Sequence, residues 1–219
     1  MRILGISSAT KVISIGLVDE DRVLAESTVA DIRAEKVMQY VKEAGIGPDQ
    51  IEGVAVAQGP GSYSGLRGGL AAAKTLALSL EVPLAGVSTL AAIAYNLVDI
   101  EGAMAVVLDA KADEHNFALF GAHQGKLRRL TDDLVLQIDK MADKLSKISG
   151  EIHLAGRVEG IRGKVKGGNF HFADDIHSHP YGINVARLGL LKIKAGETAD
   201  PLKLTPQYSH KPNIREFRH

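Results

Sequence analysis

An order of strand, strand, strand, helix, strand, helix occurs twice along these 219 residues, and few architectures accommodate it. Arg2–Ser7, Val12–Val18 and Arg22–Val29 read as strands from their alternation and β-branched content. Residues Ile32–Ala44 read as a helix, with Ile32, Val37, Met38 and Val41 near one face, Asp31 as its N-cap and Gly45 as its stop. Gly53–Ala57 then reads as a strand and Ser64–Leu80 as a helix. In the second half, Ala103–Asp109, Glu114–Gly121 and Lys126–Leu130 read as strands, followed by a helix at Ile138–Lys147, a strand at Glu151–Ala155 and a helix at Gly182–Ala195. An extra helix, Val87–Val98, lies between the copies.

That repetition predicts an α/β protein of two small lobes, residues 1–100 and 101–219, the second ending in a short basic tail. The order is that of the duplicated actin-like and Hsp70-like ATPase (ASKHA) architecture, a relative of the ribonuclease H fold. Composition narrows the chemistry. Lys plus Arg equals Asp plus Glu at 26 each, so no global field favours a polyanion across the whole surface. The chain has no cysteine, which removes disulfides, thiolate metal sites and cysteine nucleophiles. The apolar run Leu70–Val87 is interrupted by Lys74, Glu81 and Pro83, and the first ten residues lack the pattern of a secretory leader. A soluble, cytoplasmic protein with no membrane partner is expected.

The segment Gln58–Gly69, QGPGSYSGLRGG, lies between a strand and a helix. Its glycines permit close backbone approach, and the amides opening the next helix suit an anion, with Ser62, Tyr63 and Ser64 adding hydroxyls. Yet it holds no GxxxxGK[ST], and Gly59, Gly61 and Gly65 miss the GxGxxG spacing. GSYSG is no nucleophile elbow, because Tyr63 takes the central place. Tight packing of the bare face made by Gly65, Gly68, Gly69, Ala72 and Ala73 competes with anion binding as the reason for these glycines.

The block Gly59–Ala94, GPGSYSGLRGGLAAAKTLALSLEVPLAGVSTLAAIA, resembles the TsaB (YeaZ) family over a long, nearly gapless stretch. Arg2–Thr10, Val107–Phe120, Ala155–Arg157 and the ending from Asp200 resemble it more weakly. The resemblance implies an actin-like pseudoenzyme that does not itself transfer the threonylcarbamoyl group. It would bind and activate a TsaD-type subunit that makes N6-threonylcarbamoyladenosine at position 37 of tRNA. A TsaE-type ATPase would join the system, tRNA would be met indirectly, and the free protein would pair with itself through the same surface. No cofactor is required; ATP or ADP would lodge near the shared interface.

Departures from the family pattern bear on catalysis. Ser7 stands where the family usually carries Asp, and a hydroxyl lacks the charge a hard cation prefers. The first helix carries Arg33, Ala34 and Glu35 where His-Ser-Glu is frequent, so it offers a metal no histidine. No metal and no catalytic residue are expected. The partner surface is placed at Arg33, Glu35, Met38, Val41, Gly65, Gly68, Gly69, Ala72 and Ala73. Phosphate contacts fall to Ser7, Ser8, Thr10, Gly59, Gly61, Ser62 and Tyr63. A stand-alone ATPase or kinase of this fold and a glycoprotease-like metallopeptidase are the alternatives.

Three further features invite a function. His171, His177 and His179 gather beside Asp174 and Asp175, as a metal site or as solvated loop residues. The basic ending HKPNIREFRH reads as an RNA contact, a docking segment or a frayed tail. Lys126, Arg128 and Arg129 read as a solvated strand face.

Overall fold

The structure, a computed structural model, describes residues 1–166 and 169–210. Strands β1 (Arg2–Ser7), β2 (Ile13–Asp19), β3 (Arg22–Val29), β4 (Gly53–Gly59) and β5 (Leu84–Ser88) form one sheet in the order β3-β2-β1-β4-β5. The first three make an antiparallel meander, and β4 and β5 continue in parallel beyond β1. The second sheet has β6 (Gly102–Asp109), β7 (Glu114–His123), β8 (Lys126–Arg129), β9 (Leu134–Gln137), β10 (Ile152–Gly156) and β11 (Phe170–Phe172). Its order, β11-β10-β6-β7-β8, repeats the first with the same directions, and β9 pairs farther along β7. Two copies of one mixed topology are therefore present, as the element order predicts.

Side-chain alternation divides each sheet into two faces. On β1 and β4, Leu4, Ile6, Val54 and Val56 join the core beneath helices α1 (Val37–Glu43) and α2 (Tyr63–Leu80). Ile3, Ala55 and Ala57 point the other way, towards the helix Gly182–Lys194. Helix α3 (Thr89–Ala94) packs Leu90 and Ile93 on Met104, Val106 and Phe120 of the second sheet. Helices α4 (Ile138–Leu145) and α5 (Glu159–Arg162) cover its opposite face through Met141, Leu145 and Ile161. Helix α6 is the returning segment Gly182–Lys194, so each half sends one helix to the other half's sheet.

The return of α6 depends on missing side chains. A Cβ on Gly5 would lie 2.0 Å from the Gly182 carbonyl and 2.5 Å from the Ala186 nitrogen. A Cβ on Gly189 would lie 2.2 Å from that of Ala55. Backbone meets backbone here, and Ser14 Oγ accepts the Gly182 N–H at 2.8 Å, satisfying one of the free amides that open α6.

Beyond α6 the chain runs back as a strap along β5 and α2. Ala199 N–H donates to Leu84 O, Lys74 Nζ to Leu204 O and Gln207 N–H to Gln58 O, at 2.8, 3.1 and 2.8 Å. Gly59 has φ of +137°, and a Cβ there would lie 2.1 Å from Gln207 O, so only glycine lets the strap pass. Tyr208 stacks on Tyr63 at 4.9 Å, and its hydroxyl accepts from Arg67 Nε at 3.0 Å.

Three sequence expectations change. The helix expected over Ile32–Ala44 is a 3-10 turn, Ala34–Lys36, followed by the shorter α1. Asp31 is not its N-cap: the carboxylate binds Arg33 and holds residues 31–33 outside the helix. The segment expected as one helix, Val87–Val98, ends β5, starts α3 at an Ser88 cap and closes in a 3-10 turn at Tyr95–Leu97. Replacing Gly5 with Val should lower the free energy of unfolding by about 2 kcal/mol or more, read from urea titration, because the α6 backbone must move.

Candidate functional site

The C-terminal ends of β1, β4, β6 and β10 face a common cleft, the usual position for ligands in such sheets. The cleft encloses about 420 Å³. One wall is the β1–β2 turn, Ala9–Val12, with Gly61, Ser62 and Ser64 at the start of α2. Across it stand Leu108, Asp109, Arg157, Asp175, Ser178 and His179. Helix α2 begins beside the turn because Ser62 N–H donates to Ala9 O at 2.8 Å, while Ser62 Oγ accepts the Gly65 N–H at 3.3 Å.

The charges in the cleft largely answer one another. Arg157 Nε donates to Asp109 Oδ2 at 3.2 Å, and this carboxylate holds the guanidinium charge more firmly than usual. Asn116 Nδ2 donates to the Asp109 carbonyl at 3.1 Å and fixes that end of β6. Lys11 makes no ion pair among the described residues. Among those residues no three His, Asp or Glu side chains are grouped to hold a metal ion.

Of the residues expected to meet phosphate, Thr10, Gly61 and Ser62 line this cleft. Ser7 and Ser8 are buried; Ser8 Oγ donates to Gly65 O at 2.8 Å, and Ser7 Oγ has no partner among the described residues. Gly59 and Tyr63 serve the strap. The other glycines carry a packing role: added Cβ atoms at Gly61, Gly65 and Gly69 would lie 2.3, 2.0 and 2.3 Å from Ala9 O, Ser8 O and Ser8 Oγ.

A second concavity, a groove of about 610 Å³, lies between residues 32–38 and the outer side of α2. Arg33, Glu35, Met38, Gly68 and Ala72 line it, together with Ile32, Ala71 and Thr75. Ile32 is 70% exposed and Met38 42%, which leaves apolar area without cover. Four residues assigned to this surface from sequence face inward instead. Val41 and Ala73 belong to the first core, and Gly65 and Gly69 abut Ser8. Sequence reasoning placed Ile32 on one helix face with Val37, Met38 and Val41 but left it out of the partner surface, because the helix was expected to include residue 32. It also missed Ala71 and Thr75, four residues apart on the exposed side of α2.

Beside the groove Asp31 is buried and accepts five hydrogen bonds, Arg33 Nε being shared between Oδ1 and, at 3.1 Å, Oδ2. Arg33 N–H and Nε donate to Oδ1 at 2.9 Å each, Arg33 Nη2 donates to Oδ2 at 2.8 Å, and the Tyr40 hydroxyl also donates to Oδ2. Arg33, then Tyr40, hold its carboxyl well below the usual carboxylate range.

The histidines do not converge. His171 pairs with Glu151 and stacks on His153 at 5.0 Å along the β10–β11 edge, where burial and then His171 push the His153 imidazole down. His179 lies in the cleft wall, 3.8 Å from Asp175, and the carbonyls of His177 and His179 accept from Asn96 at 2.8 Å. Arg129 pairs with Asp133 and lies over Phe120. His210 pairs with Glu114 at 2.8 Å; the rest of the basic ending lies outside the described residues. Among the described residues no helix is long and apolar enough to cross a membrane.

Residues 31–186 match the family model described as TsaD, tRNA N6-adenosine threonylcarbamoyltransferase. The chain is 28% identical over 218 residues to the tRNA threonylcarbamoyladenosine biosynthesis protein TsaB of Bacillus subtilis (strain 168), covering 95% of this chain and 93% of that one. Its fold is similar to YeaZ from Pseudomonas aeruginosa, with TM-score 0.79, 21% identity and coverage of 94% and 99%. It is also similar to the ROK hexokinase from Thermus thermophilus, with TM-score 0.52, 12% identity and coverage of 89% and 100%.

The Asp31 carboxylate gives a pH test of the local structure. A folded-state value below the unfolded value of about 4 means its contribution is full above that pH and shrinks as pH falls further. Asp31→Asn should therefore melt below wild type at pH 7, with the gap in Tm narrowing from about pH 4 downward. Thermal melts between pH 7 and 2.5 read this.

Proposed function

Since the chain belongs to the TsaD family of proteins, as a TsaB (YeaZ) member involved in threonylcarbamoyladenosine modification of tRNA, we propose that it is a non-catalytic partner that docks on and activates a TsaD-type subunit. The observation that carries this reading is the groove between Ile32–Met38 and α2, where exposed Ile32 and Met38 flank a floor of Gly68, Ala71 and Ala72. Small residues on the floor admit a partner's side chains, and the apolar rim supplies area that loses contact with water on docking. Self-association of the free protein would use the same groove.

The cleft supports a role without group transfer. Of its carboxylates, Asp109 is engaged by Arg157 and Asp175 lies 3.8 Å from His179, and Ser7 is a buried hydroxyl rather than an acid facing the cleft. Thr10, Ser62 and Ser64 offer hydroxyls and Lys11 an ammonium, which suit the phosphates of ATP or ADP as an ancillary ligand. The TsaE-type ATPase and tRNA would then meet the assembly through the TsaD-type subunit.

Omission decides the matter. A mixture of TsaD-type and TsaE-type subunits, tRNA, ATP and threonylcarbamoyl-adenylate should modify tRNA with this protein and fail without it. Met38→Asp or Ala71→Glu should abolish co-elution with the TsaD-type subunit while leaving the melting temperature within a few degrees of wild type, since both positions face solvent. Full modification without the protein would end the proposal.

A further inference from the structure

From the Asp31–Arg33 geometry we infer that Arg33 is a pre-set anchor for a carboxylate on the TsaD-type partner, and that Asp31 is the positioning residue that holds it ready. The inference rests on the docking groove proposed above and names its charged contact.

A guanidinium has five N–H donors in one plane, arranged along a side edge and an end edge. Asp31 occupies the side edge of Arg33 through Nε and Nη2. Both hydrogens on Nη1 and the second on Nη2 have no partner among the described residues, and one hydrogen from each Nη forms the end edge. That edge matches the two oxygens of a carboxylate approaching end-on. The Arg33 side chain is 57% exposed, whereas that of Asp31 is 6% exposed, so the acid is a buried support and the base its accessible tip.

An arginine on a surface ordinarily gives up much side-chain freedom when it binds. Here Asp31 has removed that freedom beforehand, and Tyr40, itself buried in the core, fixes Asp31 in turn. The chain of support runs from the first core through Tyr40 and Asp31 to the groove rim. Asp31 also neutralises Arg33, so attraction at a distance is weak and recognition depends on close, paired hydrogen bonds. Glu35, two residues on and also lining the groove, disfavours a second acid beside the first. The fit is therefore to one partner carboxylate flanked by neutral or basic groups.

A double-mutant cycle tests this with the full-length protein and purified TsaD-type subunit, measuring Kd by calorimetry. Arg33→Gln and Arg33→Lys should each weaken binding by about tenfold, because lysine keeps the charge but lacks the planar edge. Asp31→Asn should weaken binding by a similar factor in wild type and add nothing in the Arg33→Gln background. Arg33 is half exposed and outside any helix, so its variants should still fold, at a Tm lowered by loss of the Asp31 pair; melts of wild type and all four variants verify that. An equal loss from Asp31→Asn in both backgrounds would overturn the inference, since Asp31 would then act through the fold alone. Wild-type affinity in Arg33→Gln would also overturn it, if Met38→Asp still abolishes binding. Wild-type affinity in Met38→Asp as well would defeat the docking reading itself.

Discussion

A helix can touch the backbone of a neighbouring turn only where side chains are absent, and the first turns of α2 meet the β1–β2 turn in that way. Gly61, Gly65 and Gly69 lie against Ala9 and Ser8 at distances no Cβ would tolerate. Much of the functional surface follows from this contact. It sets Ser62 and Ser64 into the cleft wall, leaves the half-buried Gly68 and Ala72 at the floor of the groove, and keeps Gly59 and Tyr63 beneath the strap. Bulkier residues at these three positions would push α2 away and alter cleft and groove together.

Cleft and groove differ in what they have left unsatisfied. In the cleft, Asp109 meets Arg157, Asn116 holds the end of β6, and Ser178 Oγ accepts from the Gly156 N–H at 3.1 Å. In the groove, Ile32 and Met38 face water and Arg33 keeps an open edge. Polar groups already bonded gain little from a ligand, whereas exposed apolar area and unused donors gain much. The groove thus carries uncovered apolar area on the outside of the fold, while the cleft keeps Lys11 beside charges that are already paired.

The duplicated topology was legible because it is written in long, periodic segments: β1 and β3 carry the bounds their alternation predicts. Short elements were not. The four residues of β9 and the three of β11 are too few to show a period, and α5 has four. Around the site, Thr10, Gly61 and Ser62 could be placed from the turn they occupy, as could Arg33, Glu35, Met38, Gly68 and Ala72. Val41, Gly65, Gly69 and Ala73 could not, because their direction depends on where α2 rotates against Ser8. That rotation is a tertiary fact. Nor does sequence spacing reveal that Asp31 would desert a helix cap for Arg33, since both uses satisfy the same carboxylate.

The passage of α6 across the first sheet ties folding to the schedule of synthesis. The strands of that sheet are complete at Ser88, but the helix that covers Gly5, Gly16 and Ala55 spans Gly182–Lys194. Roughly a hundred residues separate the two, or about 5–20 s on a ribosome adding 5–20 residues per second. During that interval one apolar face has no cover, and the β5 edge still lacks the strap contact of Ala199 with Leu84. The nascent first sheet therefore keeps an open apolar face until α6 has been made and can pack on it.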